Sequence, residues 1–189
     1  MQEDLLIYTD GSKSRDGVAL AIVGCHQRQA IASEARRVPD RASVFSAELF
    51  AILLAAKRSE ESLLPNTIVI ISDSKSSIQT VAQLAPRNPI AARIQHLMAG
   101  SDKNFSLCWV PGHVGIEGNE MADRAAKEAT KDRSCTAVPV PKGDIHAHIK
   151  RASKEAWLNR WMSTSETDNK LRQITEDLSP LPIDEGLGR

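Results

Sequence analysis

Residues 67–73 read TIVIISD, a nearly all-apolar, β-branched run that ends on a carboxylate. A strand without polar alternation is one buried on both faces, as in a parallel sheet. Residues 5–10 (LLIYTD) show the same pattern near the start of the chain, and each run is followed by a small residue, Ser74 after Asp73 and Gly11 after Asp10. Ligand sites in open sheets lie outside the carboxyl ends of the strands. If these two strands are neighbours, their two carboxylates face one pocket.

The run 5–9 ends in Asp10-Gly11-Ser12, a turn signal. Residues 17–24 (GVALAIVG) and 30–38 read as two further strands, and the hairpin-length connections make an antiparallel meander. From Ser43 a long helix is predicted, with Phe45, Leu49, Ile52, Leu53 and Ala56 at helical spacing and Pro65-Asn66 closing it. After the 67–72 strand come a short helix over 74–84, a turn at 86–89 and a helix over 90–99. A strand over 105–110 (FSLCWV) and an alanine-rich, charged helix over 118–130 follow. The order βββ-α-β-α-α-β-α predicts an α/β fold, a mixed sheet with helices packed on it.

The expected organisation is a catalytic domain over 1–131, a linker over 132–142 containing Val138-Pro139-Val140-Pro141, and an amphipathic basic helix over 143–163. Residues 164–189 read as a polar tail, expected to be poorly ordered. Ile145, Ile149, Ala152 and Ala156 share one face of that helix, joined by Trp157 and Trp161, a spacing that suits a packing seam better than a base-stacking platform.

The 189 residues balance 24 basic against 24 acidic side chains, so no overall charge advertises a partner. The balance is uneven along the chain. Residues 1–130 hold 14 Lys/Arg and 15 Asp/Glu, residues 131–161 hold 7 and 3, and residues 162–189 hold 3 and 6. The basic segment thus follows the expected catalytic domain. Cys25, Cys108 and Cys135 are sparse and unpaired in spacing, which fits reduced thiols better than a disulfide frame or zinc site. With neither a signal peptide nor an apolar run near 20 residues, the expected location is intracellular, cytoplasmic or nuclear. No glycine-rich phosphate loop supports a simple nucleotide binder.

Four acids stand out. Asp10 and Asp73 end strands; Glu48 lies inside an apolar helical pattern; Asp123 follows Met121-Ala122 on the last helix. Each has an ordinary explanation taken alone. Asp10-Gly11 makes an Asx turn, Asp73-Ser74 makes a helix cap, Glu48 rims a solvated helix, and Asp123 pairs with Lys127 at i+4. Together they are a mutually repelling set that needs cations. Two divalent ions supply four positive charges, and magnesium suits all-oxygen ligation with positions left for water and phosphate. Such a pair is the layout of two-metal phosphodiester hydrolysis. His113 lies in the glycine-bracketed loop 109–115 (WVPGHVG); a lone loop histidine is usually incidental, but beside a metal-phosphate site it could shuttle a proton to the leaving 3′ oxygen.

YTDGS (8–12), SAELFAI (46–52), ISDSKS (71–76) and WVPGHVGIEGNEMADRAAK (109–127) together resemble type 1 ribonuclease H. The form carried by reverse transcriptases of non-LTR retrotransposons is the nearest in pattern. The similarity covers about residues 4–130, and the PGHxGxxGNExAD segment is its most specific part. The resemblance implies a five-stranded mixed sheet, three antiparallel strands then two parallel, flanked by helices. It implies an endonuclease that cuts the RNA strand of RNA–DNA hybrids, leaving 5′-phosphate and 3′-hydroxyl ends, with two Mg2+ ions replaceable by Mn2+. The metal ligands fall on Asp10, Glu48, Asp73 and Asp123, and the mobile histidine on His113. Substrate contacts fall on Gly11, Ser12, Ser74 and Lys75. A reverse transcriptase domain on the same or a parent polypeptide is the expected partner. The chain departs from cellular relatives at Val44, where they carry Asn, and at Lys75, where they often carry Gln. Only 35 residues separate Asp73 from Trp109, which leaves no room for the extra basic helix of some relatives.

Overall fold

A computed structural model describes residues 4–27, 29–61 and 67–163. Five strands form one sheet: β1 (Leu5–Lys13), β2 (Val18–His26), β3 (Gln29–Val38), β4 (Thr67–Ser72) and β5 (Asn104–Trp109). The helices are α1 (Val44–Glu61), α2 (Lys75–Val81), α3 (Pro89–Ala99), α4 (Glu117–Ala129) and α5 (Lys142–Ser163). The strand order is β3-β2-β1-β4-β5, antiparallel across β3, β2 and β1 and parallel across β1, β4 and β5. This is the five-stranded mixed sheet expected from the sequence. β4 lies between β1 and β5, with Ile68 and Ile70 fully buried on one face; on the other, Ile71 is buried and Val69 half-buried, so the expected burial on both faces is complete on one and partial on the other.

One expectation is corrected. β1 does not end in a turn at Asp10-Gly11-Ser12 but continues to Lys13. Its parallel register with β4 stops at Thr9 opposite Ser72, while its antiparallel register with β2 runs on to Lys13 opposite Val18. Asp10 therefore sits where β1 parts from β4, still held in extended form by β2.

Helix α1 covers one face of the sheet and is buried along most of its length, through Leu49, Phe50, Ile52 and Leu53 and the small residues Ala47, Ala51, Ala55 and Ala56. Small residues let helix and sheet approach closely, and at Gly11 the approach is extreme. A Cβ there would lie 2.5 Å from the Glu48 backbone nitrogen and 2.9 Å from the Ala47 carbonyl carbon. Gly11 is thus required by packing, not by turn geometry. The Ser43 hydroxyl caps α1, accepting from the Ser46 N–H at 3.1 Å. The other face of the sheet carries α4, where Ala122 packs with Val23 and Cys25 and is flanked by Leu6, Tyr8 and Met121.

Residues 132–141, expected as a linker, carry no helix or strand but are held on the domain. The Thr136 N–H donates to the Arg37 carbonyl at 2.8 Å, Arg37 donates to the Asp132 carbonyl at 2.7 Å, and Val138 and Val140 pack against the core. In the first turn of α5, the Asp144 carboxylate accepts from the Ser43 N–H and hydroxyl at 2.8 and 3.0 Å. The chain divides into two units, 1–148 and 149–189. In the described part of the second, 149–163, no residue is buried, and the Trp157 and Trp161 rings stack on each other at 5.6 Å.

Substituting Gly11→Ala forces backbone apart at the α1–β1 contact, and the expected cost is about 1–3 kcal/mol or more of unfolding free energy. Gly143→Ala, with nothing within 4 Å of the new methyl, is the control and should leave stability unchanged or slightly raised. Urea titration of both variants checks the pair; equal stabilities would refute the packing account.

Candidate active site

Three of the four singled-out acids converge. Asp10 is 6% exposed on β1 and Glu48 is 8% exposed on α1, while Asp73, half-buried, follows the last residue of β4. One carboxylate oxygen from each lies within 4.8 Å of the other two. The close approach at Gly11 drives Glu48 this deep, and the Gly11 N–H donates to its carboxylate. The cap explanation does not account for Asp73. Its carboxylate accepts from the Asn119 side-chain amide at 3.1 Å, and the cap position of α2 belongs to Ser74, which makes no side-chain cap bond.

Electrostatics make the trio costly without a cation. Burial, then the charges of Asp10 and Asp73, push Glu48 up to about 9; burial, then Asp73 and Asp123, push Asp10 up to about 7. The Gly11 N–H offsets this only partly at Glu48, as do Lys127 and His113 at Asp10. Glu48 Oε2 is buried with no hydrogen-bond partner. Buried polar atoms are ordinarily paired, so an orphan oxygen among three converging carboxylates fits a hard divalent cation, which takes oxygen ligands.

Asp123 falls in a neighbouring group. Its carboxylate, with Glu120 and His113, offers ligand atoms within 4.8 Å of one another. It also pairs with Lys127 at 2.7 Å, so the ordinary i,i+4 explanation holds for one of its contacts. His113 is exposed and has a positive φ of 57° in the loop between β5 and α4. That loop presses on the trio at Gly112, where a Cβ would sit 2.7 Å from Asp73 Oδ2. Among the remaining expected residues, Ser74 and the exposed Lys75 flank Asp73, with Lys75 Nζ 5.6 Å from the Trp109 ring. Ser12 lies on β1 opposite Ala19, two residues beyond Asp10. Val44 is an exposed first residue of α1.

Asn119 and Glu120 were not among the expected site residues. Both sit on α4 at i−4 and i−3 from Asp123, the spacing that puts side chains on one helix face. Asn119 is 1% exposed, and its side-chain oxygen has no hydrogen-bond partner. Its burial is a tertiary fact that helical spacing alone does not announce.

Fold and site define a class: a mixed-sheet domain with carboxylates gathered where its central parallel strands part. A sequence model of the RNase H family matches residues 2–131. The chain belongs to the RNase H family, ribonucleases H whose general activity is hydrolysis of RNA in RNA–DNA hybrids and which depend on divalent metal. It is similar to the Pol polyprotein of equine infectious anemia virus (strain Wyoming), at 32% identity over 127 residues covering 65% of this chain. The chain spans only 10% of that polyprotein's length. Its fold is similar to that of RNase H1 from the halophilic archaeon Halobacterium salinarum NRC-1, with a TM-score of 0.57 and 22% identity over 67% of this chain and 96% of that one. Among the described residues no helix is long and apolar enough to cross a membrane.

The raised values of Glu48 and Asp10 give a signed pH effect. A carboxyl held above its unfolded value stabilises the fold fully below that value, and the contribution is lost as pH rises through the folded value. Metal-free protein should therefore lose stability between about pH 5 and 9. Glu48→Gln should remove most of this slope, gaining about 1 kcal/mol or more over wild type at pH 8, a few degrees in Tm. Divalent metal should raise the wild-type Tm more at pH 8 than at pH 6, and the Gln variant's Tm much less. Metal-free melting curves that run parallel for the two proteins from pH 5 to 9 would refute this account.

Proposed function

We propose that this chain cuts the RNA strand of RNA–DNA hybrids by two-metal catalysis, with Mg2+ as the ion and Mn2+ able to replace it. The observation that carries the reading is the buried Asp10–Glu48–Asp73 trio with its unpartnered Glu48 oxygen. These three acids and Asp123 are the residues to hold the ions. When bound, two divalent ions supply an activated water and charge stabilisation at the leaving oxygen. The protein's part is to fix the carboxylates. The Gly11 N–H orients Glu48, and the Asn119 amide engages Asp73 Oδ2, leaving its other oxygen available. Asp123 gives up or shares its Lys127 partner, an exposed side chain that can swing away. His113, exposed on its loop, exchanges a proton at the leaving 3′ oxygen. Ser12, Ser74 and Lys75 are the substrate contacts; Gly11, expected from the resemblance to join them, is buried against α1 with its N–H on Glu48 and serves to hold that carboxylate instead.

The likeness to a Pol polyprotein supports a place beside a reverse transcriptase on a longer chain, and the motif pattern favours a retrotransposon as its source.

The test is cleavage of an end-labelled hybrid with Mg2+ by the full chain and by Asp73→Asn. We expect cleavage by the first, a loss of about 10²-fold or more in the second, and 5′-phosphate on the products. Equal rates would refute the site assignment, and 2′,3′-cyclic phosphate ends would refute the mechanism.

A further inference from the structure

Lys75 opens α2 two residues beyond Asp73, and Trp109 closes β5 opposite Ser72 across the parallel ladder. The two side chains meet at the rim of the carboxylate site. Lys75 Nζ lies 5.6 Å from the centre of the Trp109 ring, and the indole N–H donates to the Asp73 carbonyl at 3.0 Å. Two features need explaining. Lys75 makes no ion pair among the described residues although Asp73 is two positions away, whereas Lys127 pairs with Asp123 at 2.7 Å. And Trp109 remains 46% exposed, fixed by its N–H rather than by burial.

A cation on an aromatic face is restrained without being neutralised. Its ammonium carries three donors, and a ring on one side leaves donors free on the other. A phosphate approaching a carboxylate-lined site is repelled, so an unneutralised ammonium at the rim offsets that repulsion where a bound strand passes. The indole tether to the Asp73 carbonyl ties the pair's position to the chemistry itself. We propose that Trp109 holds the Lys75 ammonium as a receptor for a backbone phosphate of the bound nucleic acid, close to the linkage that is cut. The inference rests on the hybrid-nuclease reading above. It makes Trp109 a positioning residue and Lys75 a phosphate contact that reads backbone, not base.

The test measures hybrid binding by the full chain with Ca2+ in place of Mg2+ over a range of salt concentrations, with KM and kcat in Mg2+ alongside. Lys75→Gln should weaken binding about fivefold and lower the slope of log affinity against log salt by about 1. The change should appear in KM rather than kcat. Trp109→Leu should reproduce most of that loss, Trp109→Phe, which keeps a ring but loses the N–H that fixes it, should fall between wild type and Trp109→Leu, and the Lys75→Gln/Trp109→Leu double variant should be no worse than Lys75→Gln. Calorimetric metal affinity without nucleic acid should not fall in Lys75→Gln, which separates a lost phosphate contact from a damaged carboxylate site. Neutral methylphosphonate linkages in the RNA or the DNA strand identify the source: the contacted strand is the one whose neutralisation removes the difference between wild type and Lys75→Gln. Unchanged salt slopes, strictly additive losses, or a difference that survives neutralisation of both strands would overturn the proposal. A wild-type chain that cuts hybrid while Lys75→Gln keeps the full slope sinks only this contact. A wild-type chain that neither binds nor cuts hybrid sinks the functional reading and this contact with it.

Discussion

The contact between Gly11 of β1 and the start of α1 fixes how deep Glu48 enters the sheet. Without a side chain at position 11, the backbone of residues 47 and 48 rests almost directly on the strand. The consequence is a carboxylate 8% exposed, beside another that is 6% exposed. Isolated, such a pair is a large electrostatic penalty. It persists because the same close contact also seats the Leu49, Ile52 and Leu53 side of α1 in the core. Apolar burial and site electrostatics are therefore set by one distance, and neither can be adjusted without the other.

Charge around the site is arranged in two tiers. Inside, three acids face one another with the Gly11 N–H and the Asn119 amide as neutral donors. Outside, Lys127 answers Asp123 directly and Lys75 rests on Trp109. A cation bound inside would exchange repulsion for attraction among the acids, while the outer cations remain at the surface. Metal binding there would then release protons from Glu48 and Asp10, because a ligating carboxylate must be deprotonated.

Much of this was legible in the chain. The 67–72 strand announced burial by its composition, and β4 does lie centrally with Ile68, Ile70 and Ser72 buried on one face, although Thr67 and Val69 on the other are only half-buried. The convergence of Asp10, Glu48 and Asp73 followed from strand ends and from an acid set within an apolar helical stripe. What was not legible was long-range. Asp10-Gly11-Ser12 has the chemistry of a turn, and only pairing with β2 keeps it extended. Val138 and Val140, alternating with Pro139 and Pro141, belong to no regular helix or strand pattern, so their packing on the core was invisible. Asn119 looked like one polar residue on a charged helix; its burial depends on where α4 lands.

The segment after Lys131 has one more consequence. The family likeness stops at residue 131, yet the first unit of dense contacts extends to residue 148. Between those points Thr136, Val138, Val140 and Asp144 attach to β3, to the core and to the cap of α1, the helix that bears Glu48. A boundary drawn by ancestry and one drawn by mechanics thus differ by seventeen residues. Were the module carried on a longer polypeptide, that overlap would tie its exit to the helix that bears Glu48. A processing protease that cut just after Lys131 would free the inherited domain while stripping away the brace that its helix cap leans on.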